Sequence, residues 1–201
     1  TVLGLYASGH PLDDYSLEVR HFCTHQLKDI DLFSSPVQNF TFSGYVQSHI
    51  ERISKNDQPY GILTLEDYSG AREFRLFGEN YIKFRNYFIN QGLLFFSASI
   101  IKQKWGTGGL RVKIDEVLLL SDVSKKIINE IIFNVSIDSI DQNFTNSLSE
   151  VLVKHPGKHN LKFNIFEKDV SLNLLSKKYR VNICTSFIHD MSNFSKDFIL
   201  K

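Results

Sequence analysis

The chain has 201 residues, of which 42% are hydrophobic and 22% charged, with a formal net charge of +1. That is ordinary globular material, long enough for one large domain or two small ones. No apolar run approaches the ~20 residues of a membrane span, and the charge balance excludes a global positive field, so any nucleic-acid contact has to come from local clusters of cations.

In chain order, LGLYASGHPLDDYSLEVRHF (residues 3–22) reads as a tight turn at Gly9 running into a helix. Pro11 suits a first helical position, and Asp13 and Asp14 favour the positive end of the helix dipole. Leu12, Tyr15, Val19, Phe22 and Cys23 recur at helical spacing and predict one packed face. Nothing before Gly4 resembles a secretory leader. The 2 cysteines, Cys23 and Cys184, have no metal-ligand spacing and read as free thiols of a reducing cytoplasm, the expected location. Ser34, Ser35 and Pro36 close a connector over residues 1–36.

Residues 37–121 change character. VQNFTFSGYVQSHIERI places Phe40, Phe42, Gly44 and Val46 on one side of a strand. YGILTLED and AREFRLFG are strands joined through the turn YSG, ENYIKFRNYFINQG is a helix, and LLFFSASIIKQK and LRVKIDEVLLL are strands around the loop WGTGG. Three strands, a helix and two strands form the element order of a five-stranded OB-fold, a Greek-key barrel. Period two turns Leu63, Leu65, Phe74 and Leu76 inward and Ile62, Thr64, Glu73 and Arg75 outward. Residues 122–201 predict a small α+β domain. A linker or short helical turn over 124–130 leads to the strand IIFNVSID, the helix NFTNSLSEVLVKH and a break at HPG. The strands HNLKFNIFE, VSLNLLS and YRVNI follow, then the closing helix CTSFIHDMSNF.

The candidate interface lies in the middle third. Lys102 and Lys104 precede the WGTGG loop, and Arg111 and Lys113 follow it. Residues two apart share a strand face, so this hairpin is expected to aim four cations the same way. Arg52 and Lys55 stand opposite, Arg75 joins them on the outer face, and Tyr60 and Trp105 are stacking platforms. Such platforms contribute ~1–3 kcal/mol per stacked base. Solvated edge charges that block strand aggregation account for the same cations and stay open as a reading. Acids at Glu66, Asp67, Glu73, Asp115 and Glu116 dilute the field, so binding by this module is expected to be weak. No catalytic constellation is read: His10, Asp13 and Asp14 are explained by a helix start, His155 and His159 flank a turn, and no strand precedes Ser8.

These motifs carry a resemblance. LGLYASGHPLDDY resembles the segment that follows the polymerase core in bacterial DNA polymerase III alpha subunits. GYVQS, LTLEDYSG followed by EFRLF, and GGLRVKIDEV resemble the strands of that family's OB-fold, and LVKHPGKHNLKFNI resembles its C-terminal domain. The resemblance implies the non-catalytic C-terminal region of a larger, bacterial replicative polymerase, a DNA-directed nucleotidyltransferase. Its catalytic carboxylates and magnesium ions lie upstream, so no cofactor and no metal is expected in this stretch. The implied partners are single-stranded DNA at the OB-fold, the tau subunit of the clamp loader at the terminal domain and other replisome subunits, with no membrane. Phe187, Ile188 and Met191 on the closing helix are the expected apolar surface for tau. Family members commonly carry a more basic loop where this chain has SKNDQPY, and a related OB family has an aromatic where this chain has Ile62. An anticodon-binding OB module of an aminoacyl-tRNA synthetase and a purely protein-docking module remain as alternatives.

Overall fold

The computed structural model describes residues 9–103 and 109–201. The chain divides into two compact units, Thr1–Ser121 and Asp122–Lys201. The first half of the SGHP-containing motif, together with Lys104 and Trp105, falls outside the described residues.

The first unit opens with a 3-10 turn (Asp13–Tyr15) and a short helix, α1 (Ser16–Phe22). Asp13 caps this entry: its carboxylate accepts from the His10 backbone N–H at 2.8 Å and from the Tyr68 hydroxyl at 2.9 Å. A 3-10 helix over Leu27–Leu32 follows, which hydrophobic spacing did not predict. Its start is held from afar, because the Asp67 carboxylate accepts from the Leu27 N–H at 2.8 Å.

Five antiparallel strands follow: β1 (Val37–Ile53), β2 (Pro59–Asp67), β3 (Gly70–Phe77), β4 (Leu93–Lys102) and β5 (Leu110–Leu119). A helix, α2 (Gly78–Ile89), stands between β3 and β4. The sheet order is β3-β2-β1-β4-β5, so long β1 pairs with β4 through its first half and with β2 through its second. Both ladders meet at Tyr45, next to Gly44. A Cβ on Gly44 would come within 3.2 Å of the Leu65 side chain, so glycine lets β1 curl against β2 there. The order and the helix position are those of an OB-like barrel. Among the described residues no ladder joins β3 to β5, so the barrel is open at that seam rather than closed.

The inward residues form one core. Phe40, Phe42, Val46, Leu63, Leu65, Phe74 and Leu76 are buried, as the alternation predicted, with Phe96, Ile100, Ile114 and Val117 from the later strands. Phe42 stacks between Phe74 and Phe96, with ring centroids at 5.6 and 4.9 Å. Helix α2 contributes Tyr81, Phe84 and Phe88. The Tyr81 ring lies where a Cβ on Gly61 would sit 2.3 Å away, so that position excludes any side chain.

A helix, α3 (Leu120–Ile127), crosses the boundary between the units, earlier than the 124–130 turn expected. In the second unit β6 (Glu130–Ser136) leads through α4 (Gln142–Lys154) to a parallel β7 (Pro156–Glu167). The antiparallel β8 (Val170–Val181), the helix α5 (Thr185–Met191) and β9 (Phe198–Leu200) complete a sheet of order β8-β7-β6-β9. The two strands expected over 170–183 are one strand with an irregularity, where Arg180 pairs with Asn160 but Leu175 pairs with Lys162. The HPG stretch opens β7 rather than breaking the chain. The architecture is mainly β, with an α+β second unit.

Candidate nucleic-acid interface

The outer face of β1, β2 and β3 is built in rows by their register. Arg52 pairs with Tyr60, which pairs with Phe77; Ile50 pairs with Ile62, which pairs with Arg75; Ser48 pairs with Thr64, which pairs with Glu73. Directly opposed residues share a sheet face, so these three rows form one surface. A bulge in β1 between Val46 and Ser48 turns its even-numbered residues from the core to this surface, which is how Ile50 and Arg52 come to face out after Phe42 and Val46 face in.

The row nearest α2 is aromatic. The Tyr60 and Phe77 rings stack with centroids 5.2 Å apart and planes 21° apart. Phe77 is 51% exposed and Ile50 48%, so this face presents apolar side chains to solvent beside its cations. Arg75 Nε donates to Glu73 Oε1 at 2.9 Å, but both side chains are about half exposed, so the pair is weak and can be exchanged for a ligand anion. Arg52 and Lys55 are exposed, and no ion pair holds either one among the described residues. Phe77 and Ile50 were not predicted as site residues. The signal for Phe77 was present: a two-residue turn at Tyr68–Ser69 pairs Asp67 with Gly70, and counting outward sets Phe77 opposite Tyr60.

The other rim departs from expectation. Ile101 pairs with Arg111 and Ser99 with Lys113, whereas Lys102 pairs with Leu110. Lys102 therefore shares the face of Leu110 and Val112, which pack toward the core, while Arg111 and Lys113 take the opposite face. The cations of this hairpin do not all point one way. Lys113 is further tied down: its ammonium donates to Asp115 Oδ1 at 2.7 Å, and Ser99 donates to Asp115 Oδ2 at 2.6 Å. Burial pushes the Asp115 carboxyl up, but these donors outweigh it and hold the group below its ordinary range. The expectations for Lys104 and Trp105 lie outside the described residues.

A polar trio lies behind the interface, on the inner side of β1. His49 Nε2 is 3.0 Å from the Tyr81 hydroxyl, and that hydroxyl donates to Glu51 Oε2 at 2.5 Å. Burial and the bond to Glu51 raise the Tyr81 hydroxyl far above its ordinary pKa, and burial lowers His49 against the opposing pull of Glu51. The trio fixes α2 to β1.

The second unit corrects the expected docking residues. Phe187 and Met191 are fully buried, and Phe187 packs edge-on against Phe133 at 6.0 Å and against His155 at 5.5 Å. They hold α5 to the sheet and offer no surface; Ile188 is half-buried. The exposed apolar surface lies elsewhere in the unit. A cleft of about 170 Å³ is lined by Val135, Ile140, Phe144, Leu148, Phe163 and Leu174. Along β8 it continues onto Leu172, 57% exposed, and Val170.

Comparison with known proteins agrees with this geometry. A family described as DNA polymerase III alpha subunit, C-terminal domain, matches residues 131–196. The DNA polymerase III subunit alpha of Pasteurella multocida is 28% identical over 155 residues, 77% of this chain and 13% of that protein. That of Vibrio cholerae is 27% identical over 156 residues, and that of Escherichia coli K12 27% over 157; each covers 76% of this chain. The chain spans 13% of the length of these relatives. The resemblance read from the motifs is borne out: this chain is related to the C-terminal region of bacterial DNA polymerase III alpha subunits.

Proposed function

We propose that this chain is a non-catalytic region of a bacterial replicative polymerase, in which the OB-like sheet holds single-stranded DNA and the second unit docks the tau subunit of the clamp loader. The observation that carries the first part is the stack of half-buried Tyr60 on exposed Phe77, with Arg52 beside it and Arg75 in the next row. An aromatic platform for bases beside cations for phosphates is the chemistry of sequence-tolerant single-strand binding. Glu66 and Glu73 stand toward the other end of β2 and β3, so a strand is expected to cross the face at the aromatic row rather than run along it. Arg52, Lys55 and Arg75 make about three phosphate contacts, which predicts weak binding whose logarithm falls with log salt at a slope of about −2. Fluorescence anisotropy with labelled oligothymidylate at two salt concentrations tests this. Binding that ignores salt, or no binding at millimolar protein, removes the sheet from the DNA path.

The second part is supported by the apolar cleft between α4 and the sheet and its continuation along β8. Leu172→Asp and Leu174→Asp are expected to abolish tau binding in calorimetry while leaving DNA binding unchanged. Unchanged tau affinity in both variants would move the docking surface elsewhere. No helix among the described residues is long and apolar enough to cross a membrane.

A further inference from the structure

The open seam between β3 and β5 holds a cleft of about 220 Å³ that the single-strand reading does not use. Ile30 and Asp31 of the 3-10 helix, Phe33, Arg72 at the start of β3, and Leu110 and Arg111 at the start of β5 line it. Arg72 pairs with Leu65 and thus stands on the core side of β3, with its guanidinium 5.4 Å from the Phe74 ring centre. One of its Nη atoms is ion-paired with Asp31, whose side chain is 74% exposed. Its Nε is buried and meets no hydrogen-bond acceptor among the described residues. A buried guanidinium N–H without an acceptor carries an uncompensated desolvation cost, and a ligand oxygen removes that cost. Arg111 is exposed and has no ion-pair partner among the described residues. An apolar wall with two arginines and a displaceable carboxylate is chemistry for an anion that carries an apolar body.

We propose that this seam cleft is an anion site that takes the phosphate of one nucleotide, its sugar and base lying over Phe33 and Leu110. The volume decides the size: sites for drug-sized ligands run from ~300 Å³ upward, so this one holds a single unit and not a run of them. Arg72 Nε meets the cleft from the core side of β3, and Arg111 meets it from the outer side of the edge strand β5, so the diverging oxygens of a tetrahedral phosphate suit the pair better than a carboxylate, whose two coplanar oxygens match a single fork. Asp31 is the opposing charge. It neutralises Arg72 when the cleft is empty, and it repels the incoming anion. The inference deepens the single-strand reading by giving the strand a second contact, since Arg72 and Phe77 are five residues apart on β3, ~17 Å at ~3.4 Å per residue. The phosphate comes either from that strand or from a free nucleotide.

The test is a titration of the 201-residue chain with thymidine 5′-monophosphate, inorganic phosphate and thymidine at constant ionic strength, read on the arginine Nε–H signals by NMR. The monophosphate is expected to shift Arg72 and Arg111 saturably, phosphate less tightly, and thymidine not at all. Asp31→Asn should tighten monophosphate binding several-fold, and Arg111→Gln should weaken it about tenfold, the loss of one charge-assisted hydrogen bond. Arg111 is on the surface, so its variant folds even where an Arg72 variant does not. No saturable shift with the monophosphate, an equal shift with thymidine, or no effect of Asp31→Asn overturns the proposal. So does an acetylated Glu peptide that binds as tightly, which assigns the cleft to an acidic protein segment. Oligothymidylate, read on the Arg72 Nε–H and on the ring protons of Phe77, distinguishes the sources: shifts at both identify the strand, and a shift at Phe77 alone identifies a free nucleotide. If the monophosphate fails while oligothymidylate still binds, only the seam site falls; if the oligonucleotide fails while the monophosphate binds, only the single-strand reading falls.

Discussion

Tyr60 and Phe77 owe their position to a single parity. Two residues in the β2–β3 turn set Asp67 opposite Gly70, and every second pair from there faces outward until the aromatic row is reached. Each ring is expected to stack about one base, so Phe77→Ala should lower oligothymidylate affinity by ~1–3 kcal/mol while leaving the denaturation midpoint nearly unchanged. Anisotropy and urea melts together check this; a large loss of stability with unaltered affinity would make Phe77 a packing residue. Other residues respond to pH and to reagents. Burial, above all, pushes the Cys23 thiol up to about 11. Its thiolate fraction at neutral pH is therefore small, and alkylation by iodoacetamide should run one to two orders of magnitude slower than for an ordinary thiol of pKa ~8.5. Asp190 carries the opposite shift. His155 Nε2 at 2.8 Å and Lys154 Nζ at 2.7 Å hold its carboxyl well below the usual range. A depressed pKa stabilises the fold in full above the unfolded value of ~3.9, and that stability is lost progressively as pH falls from there through the lower folded value. Urea midpoints should thus drop below pH ~4 more steeply in the native chain than in Asp190→Asn; parallel curves would contradict the pairing.

Elements repeat the lesson of parity with a different partner. The helix α2 is held to the sheet by the Tyr81 ring seated on Gly61 and by its hydroxyl between His49 and Glu51. Gly61→Ala drives a methyl into that ring and should cost ~1–3 kcal/mol or more in urea unfolding, and Tyr81→Leu in the same chain should recover part of the loss. The strands of the first unit were legible because Leu63, Leu65, Phe74 and Leu76 alternate cleanly with polar neighbours. The outward turn of Ile50 and Arg52 was not legible, because a bulge at Gln47 leaves no mark in hydrophobic period. Lys102 and Arg111 fell on opposite faces for a related reason: the number of residues in the intervening loop fixes which pairs form, and side-chain type does not. The three-residue β9 is too short for any period to show, and its pairing with β6 is decided by the sheet edge it completes.

At the scale of the whole molecule, the two units pose separate questions. In the second, helical spacing marked Phe187 and Met191 as a stripe, but a stripe by itself does not say whether it meets the sheet or solvent. Their full burial decides it, and Phe187→Ala should lower the stability of this unit by ~3–5 kcal/mol in calorimetric unfolding rather than act only on a partner. In the first, the account depends on where a DNA strand touches. Photocrosslinking of the full chain to oligothymidylate carrying 5-iododeoxyuridine, followed by mass-spectrometric mapping, reads this directly. The account predicts adducts at Tyr60 and Phe77, lost when excess unlabelled oligothymidylate is added. Adducts confined to residues 122–201, or spread over the surface and insensitive to competitor, would contradict it.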